Sequence, residues 1–303
     1  MDKNKTYEEL KELNKGNIHI SYSELSLYNQ CGHKHLLEKY LKIIAPTTSI
    51  HLIFGNSIHS TLEMGLKENY DLEKRIAYFK EMFLREMMNS LKDTPEYAQT
   101  QQFANQGENI LRLMSTEKIL EKYDLVGVEE VLYEKLFHNF HFKGFIDLVL
   151  KEKNGDKYII IDWKTSGEAW DVSKKKKDEI FMAQMRFYKY FYARKFNVPF
   201  DKIECKYVVL NRLKSKKCPE LGYGTIQSVE IYSTPEDIKN SLELVARTMR
   251  NIHIEKYFSK AKLNNMKGSC FFCPHKNDPT LCNEDPNQYL TLLKENEDKL
   301  LQS

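Results

Sequence analysis

Two aspartates and a lysine in neighbouring strand-like runs could act together in hydrolytic chemistry. Asp147 lies in the first run, and Asp162 and Lys164 lie in the second. Two carboxylates on facing strands repel each other unless a positive group lies between them. Lys164 could be that group in a structural triad, but a divalent cation is the better partner, because Mg²⁺ and Mn²⁺ favour oxygen ligands. The three residues therefore favour a metal site over a structural salt bridge.

The pair Asn154-Gly155 sets the expected register of these two runs. This pair between alternating apolar segments is a strong signal for a two-residue hairpin with a type I′ turn. With this turn, Asp147 lies directly opposite Asp162, and Lys164 falls on the same face of the second strand. We expect the hairpin to bury its other face, which carries only apolar residues: Ile146, Leu148, Leu150, Ile159, Ile161 and Trp163.

Four short segments resemble the sequence motifs of the PD-(D/E)XK nucleases and, within them, of the RecB-like branch. They are the N-terminal helix motif at Ser21–Cys31, G-x-x-x-H at Gly55–His59, D…(D/E)-x-K at Asp147 and Asp162–Lys164, and Q-x-x-x-Y at Gln184–Tyr188. All four occur in the order of that family. The residue before Asp147 is isoleucine rather than proline, and the acid before x-K is aspartate, both of which are common in RecB-like members.

The resemblance implies a metal-dependent site on a restriction-endonuclease-like α/β fold. Asp147 and Asp162 would bind Mg²⁺ or Mn²⁺, with the main-chain carbonyl of Trp163 as a further ligand. His59, on a helix across the cleft, would complete this site or bind a second ion. Lys164 would orient the attacking water or stabilise the transition state as a fixed positive charge.

The resemblance also implies a substrate-binding role for Gln184 and Tyr188. They are four residues apart and share one helix face, from which they could hold the substrate backbone near the metals. An ordinary amphipathic helix is the alternative, because aromatic residues supply a core stripe on the same segment. Glu130, on the strand before the hairpin, is a candidate for an additional acid at the site. Glu129 or Glu134 could equally be the glutamate that points toward the site.

One cysteine near the N-terminus and three near the C-terminus form a second candidate site: Cys31, Cys270, Cys273 and Cys282. This division resembles AddB-type and CRISPR-associated RecB-like nucleases, in which one N-terminal and three C-terminal cysteines hold a 4Fe–4S cluster. The resemblance implies a structural cluster that fixes the C-terminal segment onto the first helix.

Zinc and unliganded thiols are the alternatives to this cluster. Four thiolates suit structural Zn²⁺ as well as an iron–sulfur cluster. A mixed zinc site could also use His33, His35 or His275, which lie close to the cysteines in sequence. The two remaining cysteines, Cys205 and Cys218, are expected to be free thiols.

Hydrophobic periodicity predicts an α/β fold with a mixed central sheet, flanking helices and a helical insertion after the first motif. A capping box at Ser21 and Glu24 begins one helix, and Asn56 could cap a second. Residues 72–122 are predicted to be mostly helical. Predicted strands cover 126–137, 140–150, 158–163, 203–210 and 224–232, and further helices cover 178–196 and 234–257. We expect one nuclease domain over 1–303, with a helical part at 18–123, a core at 124–257 and a Cys-rich segment at 258–303.

Composition is typical of a globular protein. The chain has 303 residues, of which 41% are hydrophobic and 29% charged, and a net charge of +3. It has no apolar run of about 18 residues, and its N-terminus lacks the apolar centre of a signal peptide, so we expect a cytoplasmic protein without a membrane partner. The small net charge excludes a uniformly basic surface but not a local basic groove. Lys174–Lys177 and the lysines of 202–217 could form one, or they could lie in solvated loops.

These observations predict a metal-dependent DNA nuclease. We expect an exonuclease on single-stranded DNA or duplex ends, in DNA repair, recombination or replication. The sequence has no G-x-x-x-x-G-K-[ST] motif, so a helicase or recombination partner would have to open the DNA. Two alternatives are a non-catalytic DNA-end-binding subunit on the same fold and an RNA-directed nuclease.

Overall fold

The computed structural model describes residues 18–43, 48–114, 116–213, 225–255, 258, 270, 273–276, 278 and 281–282. The chain divides into two compact units. The first comprises Met1–His19 and Thr48–Leu242, and the second comprises Ile20–Thr47 and Glu243–Ser303. Cys218, the lysines at 214, 216 and 217, and the predicted end of the last helix at Tyr257 lie outside the described residues. The expectation of a single nuclease domain stays a prediction.

A six-stranded mixed sheet is the central element. Its strands are β1 (Ile18–Ser21), β2 (Tyr123–Phe137), β3 (Phe140–Glu152), β4 (Tyr158–Ser166), β5 (Ile203–Asn211) and β6 (Ile226–Ile231). The order is β1-β3-β4-β5-β6, and β2 pairs with β3. Strands β4 and β5 are parallel, whereas β2–β3, β3–β4 and β5–β6 are antiparallel pairs. This mixed sheet with its helices confirms the predicted α/β architecture.

The helices agree with the sequence patterns at most boundaries. They are α1 (Tyr22–Gln30), α2 (Gly32–His35), α3 (Ile50–Lys67), α4 (Leu72–Leu91), α5 (Thr100–Leu113), α6 (Thr116–Lys122), α7 (Val172–Lys175), α8 (Glu179–Phe196) and α9 (Pro235–Arg250). Short 3₁₀ segments cover Pro95–Gln99 and Phe200–Lys202, and π-helical turns cover Leu36–Tyr40 and Asn251–Glu255. Among the described residues, no helix is both long and apolar enough to cross a membrane.

Capping residues explain where two of these helices begin. The Ser21 hydroxyl accepts a hydrogen bond from the Glu24 main-chain N–H at 3.2 Å, which confirms the predicted cap of α1. The predicted start of α3 at Asn56 is wrong. Ser49 caps this helix through the Leu52 N–H, so α3 begins at Ile50 and Asn56 lies inside it. Serine is a stronger capping signal when an apolar periodic segment follows it directly, as Ile50–Phe54 does here.

The β3–β4 hairpin has the predicted register but a different turn. Leu148 pairs with Ile161, and Leu150 with Ile159, as the Asn-Gly argument required. The predicted two-residue type I′ turn is wrong, because the last hairpin bond joins the Glu152 N–H to the Lys157 carbonyl and leaves a four-residue loop. Gly155 also lacks the positive φ that such a turn needs.

Both faces of the hairpin are buried, whereas the sequence predicted burial of one. The predicted apolar face packs against α3, α4 and α5 in one large core cluster, to which Leu148, Ile161 and Trp163 belong. On the other face Val149 and Ile160 are also fully buried. Helix α8 covers this second face, as it contacts β2, β4 and β5. The site residues therefore lie inside a three-layer packing rather than on an open face.

Helix α5 approaches α4 so closely that only glycine fits at one position. A Cβ on Gly107 would lie 2.1 Å from Cζ of Phe79, whose ring is fully buried. We expect Gly107→Val to lower the free energy of unfolding by about 2–3 kcal/mol, because overpacking displaces that ring. Gly155→Val is the matched control. Its Cβ would meet the flexible end of the Glu152 side chain, and a change within about 0.5 kcal/mol is expected. Equal urea denaturation midpoints for the two variants would contradict this account of the helix contact.

Candidate active site

The β3–β4 ladder ends where the two aspartates lie. Its last pair is Leu148 with Ile161, so Asp147 and Asp162 are the next residues on the two strands. Here a side chain replaces the strand pairing, because the Asp147 Oδ2 atom accepts a hydrogen bond from the Trp163 N–H at 2.7 Å. This hydrogen bond holds the Asp147 carboxylate beside the main chain of the D-x-K segment, where the strand pairing ends.

Asp162 is buried and held at both of its oxygens. Its exposed fraction is 2%, its Oδ2 lies 2.5 Å from Nζ of Lys164, and its Oδ1 accepts from the Gln184 side-chain amide at 2.8 Å. Burial raises the pKa of the Asp162 carboxyl, and the Lys164 ammonium opposes that rise. The strand, the lysine and helix α8 together determine the orientation of this carboxylate.

The two residues of the Q-x-x-x-Y motif lie against the strands that carry the carboxylates. Gln184 Nε2 donates to the Tyr188 hydroxyl at 3.1 Å as well as to Asp162. Burial and the negative charge of Asp162 raise the pKa of Tyr188 well above its usual range, so the phenol stays protonated. A Cβ on Gly144 of β3 would lie 2.9 Å from the Tyr188 ring, which shows how closely the strand approaches α8. Both motif residues therefore belong to the site as well as to the core.

His59 faces Asp147 from helix α3. Its Nδ1 lies 3.5 Å from the Asp147 Oδ2 atom. Burial, and then the Lys164 charge, lower the pKa of His59 to about 4, although a main-chain contact with Trp163 opposes the shift. The imidazole is therefore neutral at pH 7 and has a lone pair to offer a metal. Gly55, one turn earlier, lets α3 approach β4, because a Cβ there would lie 3.1 Å from the Thr165 hydroxyl oxygen.

A small cavity lies beside these residues. Its volume is about 10 Å³, and His59, Leu62, Glu63, Leu66, Glu129, Asp147 and Trp163 line it. That volume suits one water molecule or one ion. Three of the predicted metal-binding residues therefore share one cavity, and Asp162 precedes Trp163 on the same strand, with its carboxylate held by α8.

Glu129, rather than Glu130 or Glu134, is the additional acid at this cavity. Val128 pairs with Leu148 and Glu130 with Ile146, so Glu129 lies opposite Asp147. Its φ of 55° breaks the alternation of the strand, so its side chain lines the cavity on the α3 side. Glu130 instead forms an ion pair with Lys195 at 2.7 Å. The sequence left this choice open because the alternation of apolar and polar residues cannot show which residue has a positive φ.

Negative charge accumulates at the cavity. Burial first, and then the charge of Asp162, raise the pKa of Asp147 well above its usual range, while the Trp163 N–H and Lys164 oppose the rise. Burial also raises the pKa of Glu129, with a further contribution from Glu63. Grouped carboxylates whose charged forms are disfavoured in this way are typical of a cation-binding site.

The donor set suits Mg²⁺ or Mn²⁺, although the side chains do not converge as a finished cage. Two carboxylates, a neutral imidazole and a main-chain carbonyl are ligands that these ions accept. Within the described residues, no group of three or more His, Cys, Asp or Glu side chains is close enough to hold a metal. The two aspartates have different partners: Asp162 contacts Lys164 and Gln184, and Asp147 contacts Trp163 and His59.

Two residues near the site were missed by the sequence argument. Glu63 lies four residues after His59 on the same helix face, a spacing that could have indicated it. Tyr207 pairs with Asp162 across the parallel β4–β5 ladder. The sequence carries no signal for Tyr207, because a parallel register depends on the whole crossover between the strands.

The four predicted cluster ligands belong to the second unit. Cys31 caps α2 through a 3.4 Å contact from the Lys34 N–H to its Sγ atom. Two long-range contacts bring the terminal segments together. His33 Nε2 lies 2.6 Å from the Leu281 carbonyl, next to Cys282, and His275 Nε2 lies 3.5 Å from Glu38. Cys205, in the first unit, is a buried free thiol whose pKa burial raises to about 12.

Comparison with known proteins assigns the family. Residues 19–277 match the family described as the PD-(D/E)XK nuclease superfamily. A search of the curated proteins found no match. The matched stretch contains every residue of the cavity and of the D…D-x-K and Q-x-x-x-Y segments. Because the match covers most of the chain and includes this site, the chain belongs to the PD-(D/E)XK nuclease superfamily.

Proposed function

We propose that this protein is a Mg²⁺- or Mn²⁺-dependent deoxyribonuclease of the RecB-like branch. The observation that carries the proposal is the meeting of four residues, from three of the motifs, at the end of the β3–β4 ladder. Asp147 and Asp162 lie on the two strands, His59 faces them from α3, and Gln184 holds Asp162 from α8. Superfamily membership supports the nuclease chemistry, and the order of the motifs supports the branch.

The residues divide the work of phosphodiester hydrolysis. Asp147, Asp162, His59 and the Trp163 carbonyl would hold the cation, which when bound activates water and neutralises charge on the scissile phosphate. Lys164 places its side-chain nitrogen beside Asp162, where it can orient the attacking water or stabilise the negative charge of the transition state.

The proposed substrate is DNA, which the protein would degrade from its ends. We propose exonuclease action on single strands or duplex ends in DNA repair, recombination or replication. A helicase or recombination partner would supply opened DNA, because the chain has no P-loop motif. The proposed location is the cytoplasm.

The proposal is tested by incubating the purified protein with end-labelled single-stranded and duplex DNA, with Mn²⁺, Mg²⁺ or EDTA. We expect loss of linear DNA from its ends with either metal, no loss with EDTA, and survival of circular single strands. Cleavage of circular DNA would replace the exonuclease assignment with an endonuclease. Degradation of RNA in preference to DNA, or end binding without cleavage, would support the two alternative functions instead.

A basic run follows the catalytic strand on the surface. Lys174, Lys176 and Lys177 are exposed, whereas Lys175 is half-buried with its Nζ 4.9 Å from the Trp170 ring centre. Three exposed ammonium groups so soon after Lys164 in sequence would contact DNA phosphates in the proposed function. Lys175 packs against Trp170 at the end of α7, so we leave it unchanged in the test.

We expect replacement of Lys174, Lys176 and Lys177 by serine to weaken DNA binding and to flatten its salt dependence. Each lost phosphate contact lowers the slope of log K against log salt by about 0.7 on single strands, so the total change is about 2. Fluorescence anisotropy at several salt concentrations measures this slope. Serine at Lys92, Lys153 and Lys239, which are also exposed, is the charge-matched control. If both triple variants keep the wild-type slope, the run is a solvated loop.

We also propose that Cys31, Cys270, Cys273 and Cys282 bind a structural 4Fe–4S cluster. The proposal rests on the resemblance of the cysteine pattern, and the four cysteines share one unit. Among the described residues, no three of these cysteines lie close enough together to hold a metal as they stand. The Nε2 atoms of His33 and His35 already engage the Leu281 carbonyl and Glu24. These histidines could therefore bind a metal only through Nδ1, and structural Zn²⁺ is the alternative metal.

A further inference from the structure

Tyr207 lies at the centre of the contacts that orient the catalytic carboxylate. It is the direct partner of Asp162 in the parallel β4–β5 ladder, and its side chain is fully buried. The Lys164 Nζ atom lies 5.7 Å from the centre of its ring. Tyr207 therefore lies beside both Asp162 and Lys164, although it belongs to none of the four sequence motifs.

The Tyr207 hydroxyl donates toward helix α8. Its oxygen lies 2.9 Å from the main-chain carbonyl of Phe181 and 3.3 Å from the Oε1 atom of Gln184. One hydroxyl proton therefore serves two acceptors, with the shorter bond to the main chain. The ring cannot shift easily, because it stacks on the Phe181 ring at 4.5 Å and meets Trp170 edge-on at 5.8 Å.

Only one orientation of the Gln184 amide supports the site. As observed, its NH₂ group donates to the Asp162 Oδ1 atom and to the Tyr188 hydroxyl. The reversed amide would place Oε1 against the Asp162 carboxylate and lose both of these donors. A donor at the Oε1 position favours the observed orientation, and Tyr207 supplies it.

We propose that Tyr207 is a positioning residue for catalysis. Its hydroxyl fixes the Gln184 amide, and Gln184 in turn restrains the Asp162 carboxylate, which is one of the proposed cation ligands. The inference rests on the proposed metal-dependent cleavage, but it assigns a role to a residue outside every recognised motif. It predicts that the hydroxyl acts through Gln184 rather than through general packing.

A double-mutant cycle of Tyr207→Phe with Gln184→Met separates these two possibilities. Tyr207→Phe keeps the ring and removes the hydroxyl, whereas Gln184→Met keeps the side-chain length and removes the amide. The Phe181 bond is lost in both backgrounds, so its contribution cancels from the coupling. Tyr192→Phe is the matched control, because Tyr192 is equally buried, on α8, among the rings of Tyr158 and Phe196.

We expect Tyr207→Phe to lower kcat about fivefold with an unchanged KM for DNA, as loss of one neutral hydrogen bond would. The Mn²⁺ concentration for half-saturation, measured by calorimetric titration without DNA, should rise by about the same factor. In the Gln184→Met background, the same substitution should change both quantities less than twofold. Tyr192→Phe should change neither.

Equal effects of Tyr207→Phe in the two backgrounds would overturn the inference, because the hydroxyl would then act independently of Gln184. The same double-mutant cycle can be measured by urea unfolding, which does not depend on activity. We expect the free energies of unfolding of the two substitutions to be non-additive as well. A wild-type protein that neither cleaves DNA nor binds Mn²⁺ would refute the proposed function. In that case, changes in the free energy of unfolding that are not additive would still show that Tyr207 and Gln184 are coupled. Additive changes would show that they are not.

Discussion

Asp162→Asn and Lys164→Ala should each lower metal-dependent DNA cleavage by about a thousandfold or more. Loss of a preorganised charged group at a reacting centre typically has an effect of this size. The asparagine side chain would keep the shape of the carboxylate and could still accept from Gln184, but it would bind the cation poorly. Lys164→Ala would leave Asp162 buried without its cationic partner, which lies 2.5 Å away in the wild type. Single-turnover cleavage of end-labelled DNA with saturating Mn²⁺ measures both losses.

Asp156→Asn is the matched control for Asp162→Asn. Asp156 is an exposed carboxylate in the loop of the same hairpin and pairs with Lys202 at 2.8 Å. Its replacement should leave cleavage unchanged. Both asparagine variants should retain cooperative unfolding, because the apolar residues of β4 are unaltered. Wild-type cleavage by Asp162→Asn would show that the reaction takes place elsewhere on the chain.

Cys31→Ala should abolish iron binding as completely as Cys270→Ala does. All four thiolates would bind one cluster, so removing any of them breaks the set, although Cys31 and Cys270 lie near opposite ends of the sequence. Anaerobically purified wild-type protein should be brown and contain iron with acid-labile sulfide. Both variants should also unfold at lower temperature, because the free energy of ligation contributes to folding. Iron and sulfide analysis with absorbance spectra measures these effects.

Cys205→Ala serves as the control for thiol loss. Its Sγ atom donates to the Met185 carbonyl inside the first unit, so iron content should not change. Zinc without iron in the wild type would replace the cluster with a tetrahedral zinc site. Full metal content in Cys31→Ala, combined with loss in Cys270→Ala, would contradict a ligand set that joins the two ends of the chain.

Local signals in the sequence predicted the elements that carry the site. The Asn-Gly pair indicated the correct hairpin register, and with it the neighbouring positions of Asp147 and Asp162, although the turn itself is a four-residue loop. The register was predictable because a shift by one residue would move every apolar side chain of one face to the opposite face of the sheet. Turn type depends on fewer constraints, and here the Glu152–Lys157 bond ends the ladder early.

Non-local packing determined what the sequence could not predict. Burial of both hairpin faces follows from the position of α8, which lies beyond β4 in the chain. The choice of Glu129 depends on one left-handed residue, and the place of Tyr207 beside Asp162 depends on a parallel ladder. Neither feature produces a periodic pattern in the local sequence, so both could be found only from the three-dimensional structure of the sheet.

The most direct test of the account is a crystal structure with Mn²⁺ and its anomalous scattering. The account predicts a strong peak within about 2.5 Å of carboxylate oxygens of Asp147 and Asp162 and of the Trp163 carbonyl, with His59 beside it. Asp162→Asn crystals grown in the same way should lose or greatly weaken that peak. A wild-type structure with Mn²⁺ bound elsewhere, and none at these residues, would contradict the assignment of this site as the catalytic metal centre.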